Sequence, residues 1–224
     1  MTKIIGISGF IGSGKDTVAD YLVNYHGFRR ESFANTLKDA VACVFGWDRI
    51  MLEGRTAASR AWREQVDTWW AERLKMPTLT PRWILQYWGT DVCRHGFHDD
   101  IWVASLENRL RQSTDNIVIS DVRFPNEVRA IRGVGGKMIC VERGAPPEWL
   151  ACALQTVHTH EDDQWIISDQ ERDMRSRYPD IHPSEWAWLA TKFDRVIDNN
   201  GTVDELYTQI KSLVESYQDA SVLL

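Results

Sequence analysis

Ile4, Ile5 and Ile7 form a short apolar run that leads into a glycine-rich turn and then a helical pattern, so that Lys3 to Thr17 reads KIIGISGFIGSGKDT. The spacing fits the P-loop template of a glycine, four residues, then Gly-Lys-Ser/Thr, with Gly9, Gly14 and Lys15 in register. Asp16 stands where the template has Ser or Thr, and Thr17 puts a hydroxyl one position later. Such a loop turns its backbone N–H groups inward around phosphate oxygens, which needs dihedrals and a closeness of approach that a Cβ obstructs. Gly12 and Gly14 supply that freedom, Lys15 brings a positive charge, and the start of the following helix adds its dipole. A tight strand-to-helix turn without phosphate would also carry glycines. The context favours the P-loop, because β-branched residues precede it while Val18, Leu22 and Tyr25 follow at helical spacing up to Gly27.

The 224 residues suit one globular domain with elaborations, and a net charge of −6 argues against a general nucleic-acid binder. Small phosphorylated ligands need only a local basic pocket. Cys43, Cys93, Cys140 and Cys152 lack metal or redox spacing, no leader pattern opens the chain, and no apolar run reaches the ~20 residues of a membrane span, so a cytoplasmic protein with reduced thiols is expected. Eleven tryptophans point to core packing or to one aromatic-rich surface, and the latter admits a homodimer.

Five strands are expected: the one before the loop, then Phe28 to Phe33, Asn116 to Arg123, Lys137 to Val141, and Phe193 to Ile197. Helical patterns separate them, which predicts an α/β, three-layer α/β/α domain around a five-stranded, mostly parallel sheet. Ala34 to Phe45 reads as a helix carrying Lys38, which from spacing alone is a solvated residue. The first elaboration, about 46–100, holds an amphipathic helix through Trp62, Val66, Trp69, Trp70 and Leu74. Thr80-Pro81 starts another helix that Gly89 is expected to end. The polar stretch from Gly89 to Trp102 contains Thr90, Asp91, Arg94, His95 and His98, without the further ligands a metal site would need, and Asp99 or Asp100 is expected to cap the next helix. Asp121 emerges at the carboxyl end of the NIVISDVR strand, where open α/β sheets bind ligands, and Arg143 follows the next strand. The second elaboration, about 144–184, carries Arg172, Arg175 and Arg177 and reads as a lid. A turn at Asp198 to Gly201 precedes Thr202, the expected cap of the last helix.

Taken together, GFIGSGKDT, SFANTLKDA, LQYWGTDVCRHGFHDDIWV, VISDVRFPNEV, HPSE and VIDNNGT resemble the deoxynucleoside monophosphate kinases of tailed bacteriophages, in order along most of the chain. Trp47 to Thr80 and Pro146 to Asp180 are the poorly covered parts. The resemblance implies a P-loop kinase fold with a helical acceptor-side insertion and a lid, and the reaction ATP plus deoxynucleoside monophosphate giving ADP plus the diphosphate, in phage deoxynucleotide supply. It implies that Gly12, Ser13, Gly14, Lys15, Asp16 and Thr17 hold the ATP phosphates and that Lys38 and Arg94 hold the acceptor phosphate. Thr90, Asp91 and Trp102 would shape the base and sugar pocket. Asp121 would organise Mg²⁺, with Thr17, or the acceptor. Arg123 and Arg143 would neutralise the transition state, and Asn199 and Gly201 would contact adenine. A dephospho-coenzyme A kinase or another small-molecule P-loop kinase, or a nucleotide-binding module without turnover, are the alternatives.

Overall fold

The computed structural model describes residues 3–156, 169–181 and 183–219. Five strands, β1 (Ile4–Ser8), β2 (Arg29–Glu31), β3 (Ile117–Ile119), β4 (Lys137–Glu142) and β5 (Arg195–Asp198), form one sheet in the order β2-β3-β1-β4-β5. Every pairing is parallel, with Ile5 opposite Val118 on one side and Lys137 on the other. Parallel strands require crossovers, and the intervening helices supply them.

Alternation along β1 sorts the two faces. Ile5 and Ile7 point to the face covered by α1 (Lys15–His26) and α11 (Val203–Asp219), where they pack with Val18, Leu22, Leu206 and Ile210. Both isoleucines are fully buried, each worth about 1.5–3 kcal/mol relative to exposure. Ile4 and Gly6 point to the opposite face, where a Cβ on Gly6 would lie 2.8 Å from Ile131 of α8 (Pro125–Gly133). Helices on both faces of a buried parallel sheet give the expected three layers.

The chain divides into two compact units, one of residues 1–32 and 107–224 and the other of residues 33–106. The first holds the sheet. The second is helical, and includes α2 (Asn35–Phe45), α3 (Arg49–Glu53), α4 (Ala57–Arg63), α5 (Thr68–Leu74) and α6 (Pro81–Gln86). Its core gathers Trp47, Leu52, Leu79, Ile84 and Trp102, with Trp62, Trp70, Trp83 and Trp88 packed against them. The tryptophans of this unit therefore serve mainly as core, although Trp69 is 61% exposed.

Two expectations are corrected here. The single amphipathic helix through Trp62 and Leu74 is two helices, because Asp67 accepts from the Trp70 N–H and starts α5 afresh. Gly89 does not end its helix. The chain continues from α6 as a π-helix over Tyr87–His95. Gly89 lies inside it without the left-handed dihedral of a helix stop, and its missing Cβ instead admits Leu37, whose Cδ2 would be 2.8 Å from a Cβ there. Its carbonyl accepts from the Trp102 indole at 2.8 Å. π-Turns are rare and concentrate at functional sites. Asp100 precedes α7 (Ile101–Gln112), with its carbonyl accepting from Ala104 N–H. The expected Thr202 cap is present: its hydroxyl accepts from Glu205 N–H, and the Glu205 carboxylate accepts in return from Thr202 N–H.

No helix among the described residues is long and apolar enough to cross a membrane.

Candidate functional site

The loop after β1 takes its shape from Gly9, Gly12 and Gly14, with φ of 148°, 79° and 100°. Gly9 has no room for a side chain, since a Cβ would lie 2.4 Å from the Val141 carbonyl and 2.7 Å from Ser13 Oγ. Ser13 is buried, and its Oγ has no hydrogen-bond partner among the described residues. Lys15 bends back over the loop and donates to the carbonyls of Gly9 and Phe10, each at 2.8 Å. Burial, followed by the positive charge of Arg123, lowers the Lys15 pKa, against the opposing pull of Asp16, Glu185 and Cys140. From the end of β5, Asn199 donates its side-chain N–H to the Ser13 carbonyl at 2.8 Å. The residue expected at adenine thus braces the glycine loop itself. Gly201 lies beside Glu205, whose carboxylate would meet a Cβ at 2.1 Å.

Asp16, at the template's hydroxyl position, is exposed and ion-paired with Arg30 of β2. The same guanidinium reaches Asp20 at 2.8 Å and Ser120 Oγ at 2.5 Å, which ties the first turn of α1 to the carboxyl ends of β2 and β3. Thr17 is exposed in that turn. Asp121, just past β3, accepts from Ser32 Oγ at 2.5 Å. Hard oxygen donors such as the Thr17 hydroxyl and the Asp121 carboxylate suit Mg²⁺, which is commonly held by one or two carboxylates plus substrate phosphates. Among the described residues no group of three or more His, Cys, Asp or Glu could hold a metal ion.

The VRFPNE stretch explains itself locally. Glu127, nearly buried, accepts from the backbone N–H groups of Arg123 and Phe124 at 2.7 and 3.1 Å, which caps α8 and fixes the turn after Asp121. The Arg123 side chain pairs with Glu185 at 2.6 Å. Arg143 follows β4 and is exposed. Cys140, near Lys15, is pushed up to about 12, chiefly by burial and then by Glu142, so its thiol is not a nucleophile at neutral pH.

In the expected lid, α9 (Leu150–Thr156) and α10 (Asp169–Arg177) flank residues that lie outside the description, and Ala153, Met174 and Trp186 form a small core there. Arg177 pairs with Asp173 at 2.9 Å. The Arg172 side chain and His182 of the HPSE motif lie outside the described residues.

The helical unit carries the expected acceptor-side residues. Lys38 is well covered and pairs with Glu53 at 2.7 Å, so it is not the solvated residue its spacing suggests. Glu53 also pairs with Arg49. Burial alone would raise the Glu53 carboxyl, but the hydrogen bonds and charges of Lys38 and Arg49 outweigh it and hold it at about 2. Thr90, Asp91 and Arg94 lie on the π-helix. Arg94 is 3.9 Å from Asp99, and Asp91 is exposed. Trp102 is buried and pinned by its bond to Gly89.

Sequence reasoning missed several residues here. Arg30 lies on β2 and Ser32 just after it, in a stretch the sequence marks as a strand, but nothing local connects them to Asp16 and Asp121, and the HPSE motif gives Glu185 no evident role. Arg63 ends α4, and its guanidinium lies over Gly54, where a Cβ would be 2.0 Å away. Its Nε is buried without a hydrogen-bond partner among the described residues, while the adjacent carboxylates Glu53 and Glu64 are engaged by Lys38, Arg49 and Arg82. A glycine seven to nine residues before an arginine is too common a pattern to have revealed it.

A glycine loop closed over by its own lysine, between a buried parallel strand and a helix, with an aspartate at the end of the adjacent strand, defines a P-loop kinase. No protein-family model matches the chain. It is 32% identical over 228 residues to the "Putative deoxynucleotide monophosphate kinase" of Acanthamoeba polyphaga mimivirus, covering 95% of this chain and 96% of that protein. It is also 26% identical over 181 residues to the deoxynucleoside-5'-monophosphate kinase of Escherichia phage T5, over 59% of this chain and 72% of that one. The chain belongs to the deoxynucleotide monophosphate kinase family. Solved structures similar to it include a dephospho-CoA kinase from Campylobacter jejuni, at 14% identity and a TM-score of 0.43 over 96% of this chain and 97% of that one. A shikimate kinase from Aquifex aeolicus gives 12% identity and a TM-score of 0.41 over 96% and 98%.

Proposed function

We propose that this enzyme transfers the γ-phosphoryl group of ATP to a deoxynucleoside monophosphate, giving ADP and the deoxynucleoside diphosphate. The observation that carries the reading is Lys15 folded onto the Gly9 and Phe10 carbonyls, a cation stored inside a glycine loop of the kind that cradles phosphate. Relatedness along 95% of the chain to a protein named for that activity supports the choice of acceptor. Supply of deoxynucleotides for viral DNA synthesis follows as the biological role.

In this reading an oxygen of the acceptor phosphate attacks the γ-phosphorus, and the bond to the β,γ-bridging oxygen breaks. The acceptor oxygen is already a competent nucleophile, so no general base is needed. The protein's task is positioning and charge neutralisation. Gly12 to Thr17 cradle the phosphates, with Asp16 serving through its bond to Arg30 rather than as a ligand. Lys15 leaves its carbonyl bonds for the β- and γ-phosphates. Mg²⁺, bound through the nucleotide and held by Thr17 and Asp121, would neutralise phosphate charge. Arg123 and Arg143 stabilise the charge that spreads over the transferring group.

On the acceptor side, Lys38 and Arg94 hold the phosphate of the monophosphate, and Arg63 joins them. A guanidinium with a buried unsatisfied N–H is costly unless a ligand meets it, and a phosphate oxygen does so. Thr90, Asp91 and Trp102 shape the base and sugar pocket. The segment at about 144–184 acts as a lid that excludes water, and the one at about 46–100 as the acceptor-side insertion. Asn199, besides bracing the loop, and Gly201 contact the adenine of the donor nucleotide. Titration of the intact protein with a panel of nucleoside monophosphates, following ADP release, tests the reading.

A further inference from the structure

The HPSE motif has no role in the mechanism above, yet its glutamate makes a close contact with a proposed transition-state group. Glu185 accepts from Arg123 Nη1 at 2.6 Å, and Ser184 Oγ lies 3.5 Å from the same nitrogen. Arg123 would otherwise be a long, rotatable side chain on a turn, free to sample many rotamers. Its backbone is fixed by Glu127, but nothing in that cap fixes its guanidinium.

The Glu185 backbone is itself anchored to the glycine loop. Trp188, buried three residues on, donates its indole N–H to the Glu185 carbonyl at 2.9 Å. The Trp188 ring meets Phe10 edge-on at 5.0 Å, and Phe10 also meets Trp149 at 5.5 Å. Phe10 is the residue whose carbonyl receives the Lys15 ammonium. A continuous set of contacts therefore runs from Lys15 through Phe10, Trp188 and Glu185 to Arg123, all within the sheet-bearing unit.

We propose that Glu185 is a positioning residue for phosphoryl transfer, which holds the Arg123 guanidinium in a fixed relation to the P-loop lysine through the Phe10 and Trp188 rings. The inference rests on the kinase reading above. Without Glu185 the arginine remains present but loses its place, so the loss falls on turnover rather than on binding.

The test is a double-mutant cycle of Glu185→Gln and Arg123→Ala in the intact chain, with Glu185→Asp as the conservative variant. Glu185→Gln is expected to lower kcat about ten- to a hundredfold with KM values for both substrates within about threefold. In the Arg123→Ala background the same substitution is expected to change kcat less than about twofold, because its target is gone. Glu185→Asp keeps the charge, so it is expected to fall between wild type and Glu185→Gln in kcat. Equal loss in both backgrounds, or a rise in KM that matches the fall in kcat, overturns the proposal. Wild-type turnover on a deoxynucleoside monophosphate speaks separately to the kinase reading. Should that be missing, the cycle is read from ATP hydrolysis without acceptor, with the same ratios expected.

Discussion

Asn199, at the end of β5, and Ser13, inside the glycine loop, lie 186 positions apart and are joined by a 2.8 Å hydrogen bond from the amide to the backbone carbonyl. The bond holds the phosphate loop against the far strand. It also leaves no space at Gly14, where a Cβ would come within 2.3 Å of the Asn199 nitrogen in a backbone already at a φ of 100°. Asn199→Ala is therefore expected to weaken ATP binding about tenfold, and Gly14→Ala to weaken it further, because it strains the left-handed loop backbone as well as displacing Asn199. Calorimetric titration with ATP checks both, and unchanged affinity in Gly14→Ala would contradict the bracing role.

Lys15→Ala removes the cation but only two of its own hydrogen bonds to loop carbonyls. Turnover is expected to fall about a thousandfold or more while the thermal midpoint stays near wild type. Kinetics beside thermal melting separate the two effects, and a folded variant with normal turnover would remove the P-loop assignment.

Arg63→Gln is expected to raise the KM for the deoxynucleoside monophosphate about tenfold, with the KM for ATP unchanged. The fold is expected to lose little stability, since the buried Nε has no partner among the described residues and the guanidinium's hydrogen bond to the Leu52 carbonyl is long, at 3.5 Å. An equal rise in both KM values would place Arg63 outside the acceptor site.

Glu53 links Lys38 to Arg49 and has its carboxyl held at about 2, against an ordinary 4.5. Because the folded value is the lower one, the stabilisation is present above about pH 4.5 and fades as pH falls towards 2. Glu53→Gln is expected to cost about 2 kcal/mol at neutral pH, after solvent screening, and much less at pH 3. Denaturant midpoints at the two pH values check this, and a cost independent of pH would mean that packing rather than charge sets it.

The sheet was legible in the sequence because its evidence is local: β-branched runs such as IVI of β3, glycine stops such as Gly27, and a loop with fixed spacing. The helical unit was less so. A run of tryptophans at helical spacing cannot reveal that Asp67 interrupts it, since an aspartate is tolerated within a helix as well as at its start. Gly89 misled for a related reason: glycine serves both as a helix stop and as a close-packing residue, and the choice is made by Leu37, 52 positions earlier. At the site, residue types announced themselves while partners did not. Asp16, Lys38 and Arg123 each engage an oppositely charged residue, Arg30, Glu53 and Glu185, that no local pattern connects to them.

The central claim is the reaction, and one assay addresses it most directly. Purified protein with Mg-ATP is offered deoxynucleoside monophosphates, ribonucleoside monophosphates and dephospho-coenzyme A in turn, and ADP release is followed. The account predicts turnover on at least one deoxynucleoside monophosphate, with matching formation of its diphosphate. Silence on every nucleotide by protein that still binds ATP, or turnover on dephospho-coenzyme A alone, would contradict it.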